Sequence, residues 1–274
     1  MVNKPARKPA FSSVMNQEIK IQTSSQLKQA ARGLLLGKYG PAISVLVTTQ
    51  LLLSVLTLIT RINGMLNSPA SILINYAISF IINLFGGILS VGVSAFYLNI
   101  VCGKPYRLSD IFIGFKNNPD KAIGIRFFTL ILSTLPMLPA HLLLLALTTP
   151  FPADLGFRAS SPESLINLAL IMLLLAIGGY AVSLWVLTIY GQAFRLLLDF
   201  PERSVLQLLK MSRELTRGHR LRLYYIFFSF TPLYLAGIIS FGIGLLFVIP
   251  YVTMTNTLFY LDLLNYKTSQ NQHN

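Results

Sequence analysis

Long apolar runs alternate along this chain with shorter stretches that are polar and basic. The longest apolar run is Leu223–Leu264, which carries no charge in its spans until Asp262. A helix rises about 1.5 Å per residue and a bilayer core is about 30 Å thick, so roughly 20 residues make one crossing. This run is long enough for two. Ser240-Phe241-Gly242-Ile243-Gly244 divides it, because glycine permits a tight reversal that other residues resist. Pro250 in the second arm removes an intrahelical hydrogen bond and predicts a kink. Further spans are predicted near residues 42–60, 72–100, 123–147 and 165–197. Pro136 and Pro139 interrupt the third span, and the second and fourth exceed one crossing, which predicts tilt or a protruding end.

The polar stretches carry their own periodicity. Residues 1–23 read as a flexible basic tail without the apolar run of a secretory signal. From Ser24 or Ser25, either of which suits an N-cap, Leu27, Ala30, Ala31, Leu34 and Leu35 fall at helical spacing among Lys28 and Arg32. An amphipathic helix lying in the membrane interface is expected there. Residues 101–122 form a basic loop in which Ser109 can cap a short helix bearing Ile111, Phe112 and Phe115. In 201–222, Val205, Leu208, Leu209 and Leu215 make one stripe opposite Lys210, Arg213 and Arg217, so another interfacial helix is predicted. Residues 148–164, rich in proline, read as a loop, and 266–274 as a polar tail.

Each odd span thus follows a basic amphipathic segment. Each even span ends in an aromatic cluster: Ala95-Phe96-Tyr97, Ala193-Phe194-Arg195 and Leu258-Phe259-Tyr260. The expected fold class is all-α, a polytopic membrane protein with about six spans in three hairpins, forming one membrane domain over residues 24–265. Small residues at four-residue spacing, Gly86/Ser90/Ser94 and Ala236/Ser240/Gly244, are expected to let helix backbones approach closely in lipid.

Charge sharpens this picture. Only 11% of the 274 residues are charged, against about 25% in soluble domains. Of the 22 lysines and arginines, 20 fall before span one, between spans two and three, around the four-to-five junction, or after span six; only Arg61 and Arg158 fall on the other side. Basic residues gather in cytoplasmic loops, so both termini are expected in the cytoplasm, and the net charge of +13 marks topology rather than a nucleic-acid surface. The single cysteine, Cys102, excludes an internal disulfide and any multi-cysteine metal site.

A resemblance accompanies these patterns. Ser212 to Gly218, Ser229-Phe230, Gly242-Ile243-Gly244, Pro250-Tyr251 and Phe259-Tyr260, with Leu27-Lys28-x-x-Ala31-Arg32 and Leu36-Gly37-Lys38-Tyr39 near the start, resemble an uncharacterised family of bacterial polytopic membrane proteins, the domain of unknown function, family 975. The likeness covers about residues 24–265 and departs from the family pattern at Thr231-Pro232. It implies a multi-span membrane protein and supplies no reaction, ligand or cofactor.

Candidate chemistry is sparse. No His-Glu-x-x-His, phosphate-binding loop or Gly-x-Ser-x-Gly occurs, and three histidines leave little for a metal or Ser-His site, so neither catalysis nor a cofactor is expected. Ionisable groups in a membrane are functional candidates because burying them is costly. His141 in span three is one; lying near the outer interface is the alternative. Asn75, Ser79 and Asn83 form a ladder that either lines a polar path or hydrogen-bonds between helices. Arg126, Arg195 and Asp262 lie near cytoplasmic ends, where long side chains can snorkel to water.

Arg203, Lys210, Arg213, Arg217, Arg220 and Arg222 are candidate contacts for anionic phospholipid headgroups. The expected role is a non-enzymatic membrane scaffold or regulator contacting inner-leaflet lipid, a membrane-protein partner or a second copy, without nucleic acid. The alternative is a small transporter or channel-like protein with a polar path near spans two, three and six.

Overall fold

The computed structural model describes residues 22–63, 69–148 and 162–273, and these contain helices and turns without a strand. The first helix, α1 (Ser24–Leu35), begins at Thr23. The Thr23 hydroxyl accepts from the Gln26 N–H at 3.3 Å, and the Gln26 side chain accepts from the Thr23 N–H at 2.8 Å. This reciprocal cap satisfies N–H groups that a helix start leaves orphaned, and it places the cap one residue before Ser24. Then come α2 (Tyr39–Asn63), α3 (Pro69–Val101), a 3-10 turn at Leu108–Phe112, α4 (Ile113–Lys116) and α5 (Pro119–Thr134). A second 3-10 turn, Leu135–Met137, leads to α6 (Leu138–Thr148), followed by α7 (Pro162–Tyr190), α8 (Ala193–Asp199) and α9 (Val205–Thr216). The chain closes with α10 (Arg220–Ser229), α11 (Thr231–Ile239) and α12 (Leu245–His273).

Among the described residues, six helical stretches are long and apolar enough to cross a membrane: Tyr39–Leu58, Ile74–Val101, Pro119–Leu144, Ile166–Asp199, Arg220–Ile239 and Leu245–Gln270. They make this a multi-pass membrane protein. The predicted interruption of span three is the 3-10 turn containing Pro136. Span five is also broken, at Phe230 ahead of Pro232, and α12 runs on through residues read as a polar tail. Residues 1–21 of the expected tail over 1–23, residues 64–68, and most of the expected loop at 148–164 lie outside the described residues.

Two compact units divide the chain: Met1–Arg126 with Gln192–Asn274, and Phe127–Gly191. In the second, α7 meets the turn at Pro136 through Gly179, where a β-carbon would sit 2.7 Å from the Pro136 carbonyl oxygen. One turn on, the Ser183 hydroxyl lies 2.6 Å from the Ser133 carbonyl and 2.8 Å from that of Gly179. Proline removes an N–H from the ladder here, and the nearby serine adds a donor.

In the first unit the basic segments and the aromatic helix ends pair in a cyclic order. The 3-10 turn and α4 pack on the end of α3, α9 packs on α8, and α1, first in the chain, packs on α12, the last. Each amphipathic segment therefore clasps the helix end of the hairpin before it, and α1 closes the series. Each clasp leaves through a left-handed residue just before the odd span: Gly37 at φ 75°, Asn118 at 54° and Gly218 at 88°. Glycine and asparagine tolerate that region, so the sharp exit is encoded locally.

The core of this unit lies at the same end. Ile88, Val91, Phe96, Tyr97 and Ile100 of α3, Leu196 and Leu197 of α8, and Met254, Phe259, Tyr260 and Leu263 of α12 are buried. The apolar side of α1 contributes Leu27, Ala31 and Leu35, and that of α9 contributes Leu208, Leu209 and Leu215. Ala30 of the predicted stripe is exposed. The extra length of α3 beyond one crossing is what forms this core.

Of the residues expected at close helix contacts, Gly244 holds that place, against Gly237 and Ser240, while the other tight positions fall on different glycines. Gly86 has only ordinary space, with Leu53 3.8 Å from its β-position, and Ser90 and Ser94 hydrogen-bond back to carbonyls of their own helix. The tight contacts of α3 are Gly87, against Arg126, and Gly92, against the Ile111 backbone. In the last hairpin it is Gly237, rather than Ala236, that meets Leu245 and Gly244.

Candidate functional site

Polar contacts between different helices cluster at the basic end of the first unit. At the α1 clasp, Lys28 Nζ stands 4.7 Å above the Phe230 ring, and the Arg32 guanidinium lies 5.8 Å from the Tyr251 ring. Tyr251 packs edge-on to Phe230 at 5.0 Å, and its hydroxyl donates to the Lys28 carbonyl at 3.2 Å. Beside them Arg222 Nη2 meets Asp262 Oδ2 at 2.8 Å and also donates to the Gln22 carbonyl, while the Gln22 N–H donates to Asp262 Oδ1 at 3.1 Å. The chain entering α1 is thus tied to α10 and α12 by one carboxylate and one guanidinium.

At the α8 end, Tyr260 donates to Asp199 Oδ2 at 2.6 Å, and Arg195 Nη1 donates to Gln192 Oε1 at 2.8 Å. Arg195 is 9% exposed, with its Nε buried and unpartnered. The expectation that it snorkels to water does not hold, because α8 turns its side chain into the aromatic ends. Arg126 is half-buried, and its Nε and Nη2 bond the Asn83 carbonyl and side-chain oxygens at 3.2 and 3.3 Å. Lys121 Nζ donates to the Pro201 carbonyl at 2.6 Å, and Lys267 donates to the Glu214 carbonyl in the last turn of α9, where a cation also suits the helix dipole.

The outward side of α9 is different. Lys210, Arg213 and Arg217, with Arg203 just before the helix, are exposed. They share that side with Leu206, which is 64% exposed. A Ser204–Gln207 capping box matches the Thr23–Gln26 box of α1 and fixes where this helix starts. Arg220 is half-buried and already partnered, and Arg222 is held by Asp262. Four of the candidate headgroup contacts therefore face outward together, whereas Arg222 is tied to Asp262 and Arg220 is half-buried. Burial, then the Arg222 and Lys267 charges, hold the His219 imidazole below its usual pKa against the opposing pull of Asp262. At neutral pH it adds no charge to this face.

Each polar-path candidate has its own surroundings. Asn83 holds Arg126, and its Nδ2 donates to the Ser79 carbonyl at 2.9 Å. Asn75 lies two turns away on α3, its Oδ1 buried without a hydrogen-bond partner. His141, in the other unit, is exposed and donates from Nδ1 to the Met137 carbonyl at 2.8 Å. Among the described residues no three His, Cys, Asp or Glu side chains converge as a metal would require.

Sequence patterns alone did not single out Gln22, Gln192 or Asp199, whose contacts join residues far apart in the chain. A usable signal existed for the clasps: Thr23, Gln26, Leu27, Arg32 and Gly37 recur at one constant offset as Ser204, Gln207, Leu208, Arg213 and Gly218.

Neither a curated protein nor a solved structure matches this chain. The family described as protein of unknown function (DUF975) matches residues 15–267. That match covers the first five described spans, the sixth as far as residue 267, and every clasp, so the chain belongs to the DUF975 family.

Proposed function

We propose that this protein is a non-enzymatic scaffold or regulator of the bacterial cytoplasmic membrane, with both termini in the cytoplasm and its basic face on anionic inner-leaflet lipid. The observation that carries this reading is the division of labour on α9. Its apolar side is spent on the core, whereas Arg203, Lys210, Arg213 and Arg217 project outward beside the exposed Leu206. Each cation near an anionic surface contributes about 1 kcal/mol, and an adjacent apolar side chain can enter the headgroup boundary. The buried network is satisfied mainly by protein groups, which suits a rigid platform.

The test uses the whole protein. Glutamine at Arg203, Lys210, Arg213 and Arg217 together is expected to weaken retention of phosphatidylglycerol over phosphatidylcholine on the detergent-extracted protein at least about tenfold. Equal retention by the variant and the parent would exclude headgroup contact by this face. Orientation has a separate test. Cys102, half-buried in the turn after α3, should react with a membrane-impermeant thiol reagent only after the cytoplasmic side is opened. Reaction in intact cells would reverse the topology.

A further inference from the structure

We propose that the groove between α2 and α12 seats a second copy of this chain, with Gln50 of one copy paired to Gln50 of the other. The groove encloses about 260 Å³ and is lined by Leu46, Val47, Gln50, Leu51, Leu245 and Ile249 among others. Gln50 is exposed, and its amide makes no hydrogen bond among the described residues. It lies eleven residues beyond Tyr39 in the span Tyr39–Leu58, which at helical rise is about 17 Å in, near mid-bilayer.

No water is available at that depth to satisfy a primary amide, and lipid headgroups lie too far away. Unsatisfied polar groups in hydrocarbon are costly, so the amide calls for a polar partner on another helix. An amide carries both a donor and an acceptor. Two glutamines related by a two-fold axis therefore satisfy one another with reciprocal N–H···O bonds, and a single residue type completes the site. This is the isologous arrangement of a two-fold dimer, in which the same patch faces itself.

The surroundings fit a helix as occupant. Ser54 lies one turn from Gln50 in the same wall and is also exposed, giving a small residue over which a neighbouring backbone can approach. Leu51 and Val55 beside them are 59% and 61% exposed and supply knobs for the partner's groove. Anionic-lipid contact by α9 is independent of this surface.

Disulfide trapping tests the proposal in native membranes. In a Cys102→Ser background, Gln50→Cys is expected to give, on mild oxidation, a species of twice the 30.4 kDa chain mass. Phe241→Cys, at the 99%-exposed tip of the last hairpin, is expected to stay largely uncrosslinked. Gln50→Leu, which leaves an apolar side chain on an apolar face, should fold and raise the dimer dissociation constant in detergent at least about tenfold. Absence of the Gln50→Cys dimer, equal crosslinking at Phe241→Cys, or an adduct with a different protein would overturn the proposal. So would an unchanged dissociation constant for Gln50→Leu, or a parent protein of single-chain mass.

Discussion

Gly92→Ala is expected to destabilise the protein by about 3 kcal/mol or more, seen as a large fall in the thermal midpoint in detergent or as loss of the folded species on size exclusion. A β-carbon there would sit 1.9 Å from the Ile111 carbonyl oxygen and 2.3 Å from its carbon. These are backbone atoms, so no rotamer change relieves the overlap. The facing contact is reciprocal: a β-carbon on Gly114 would come 2.2 Å from the Ile88 carbonyl oxygen. The 3-10 turn and α4 are also tied to α3 through Asp110, which accepts from Asn99 Nδ2 at 3.2 Å and from the Arg107 N–H at 3.0 Å. Separating the two backbones would pull that network apart. Gly86→Ala is the control. Its nearest neighbour is 3.8 Å away, and alanine favours a helix over glycine by about 1 kcal/mol, so it should be neutral or stabilising. Similar tolerance of alanine at both positions would rule out the close approach of α3 to the second clasp.

Asp262→Ala is expected to destabilise the fold by about 3 kcal/mol and to expose α1 to proteolysis. Arg222 and Asp262 are 17% and 10% exposed, so the pair is mostly withdrawn from water. Arg222 Nε and Nη1 are already buried without partners, and loss of the carboxylate leaves the cation with the Gln22 carbonyl and the face of the Phe259 ring, 5.2 Å away. The main penalty comes from the uncompensated guanidinium rather than the missing contact. Arg222→Met added to Asp262→Ala should therefore recover much of the loss, and thermal unfolding of the single and double variants measures the coupling. If Asp262→Ala leaves both the midpoint and the cleavage pattern unchanged, the tie between α1 and the last hairpin is absent.

Much of the architecture was legible along the chain. The six spans follow from run length, since a stretch of about 20 apolar residues has few fates besides crossing lipid. The amphipathic α1 and α9 followed from periodicity, and Gly242 fell where the last hairpin reverses, at φ 84°. Ranking the glycines was harder, because the difference between Gly86 and Gly92 lies in what faces them. Ile111 is 19 residues on in the chain and reaches Gly92 only through the fold.

The candidate site divides in the same way. That the basic residues gather at alternate junctions, and that Arg203, Lys210, Arg213 and Arg217 stand apart from the apolar stripe of α9, could be read from local spacing. Which cations are internal could not. Arg222 is as basic in sequence as Arg217, yet α12 brings Asp262 to Arg222, while Arg217 stays exposed. Arg195 sits at the end of an apolar run just as a snorkelling arginine would, but α8 packs against α3 and α9 and the arginine side chain is buried. The sequence by itself determined the spans, the amphipathic faces of α1 and α9 and the distribution of charge, because these depend on neighbours within a few turns of helix. Only the tertiary structure decided the cyclic clasping, in which α1 closes on α12, and with it which charges are buried ties and which face outward. The physical reason is that charge burial depends on what packs against a side chain, and here the partners come from opposite ends of the chain.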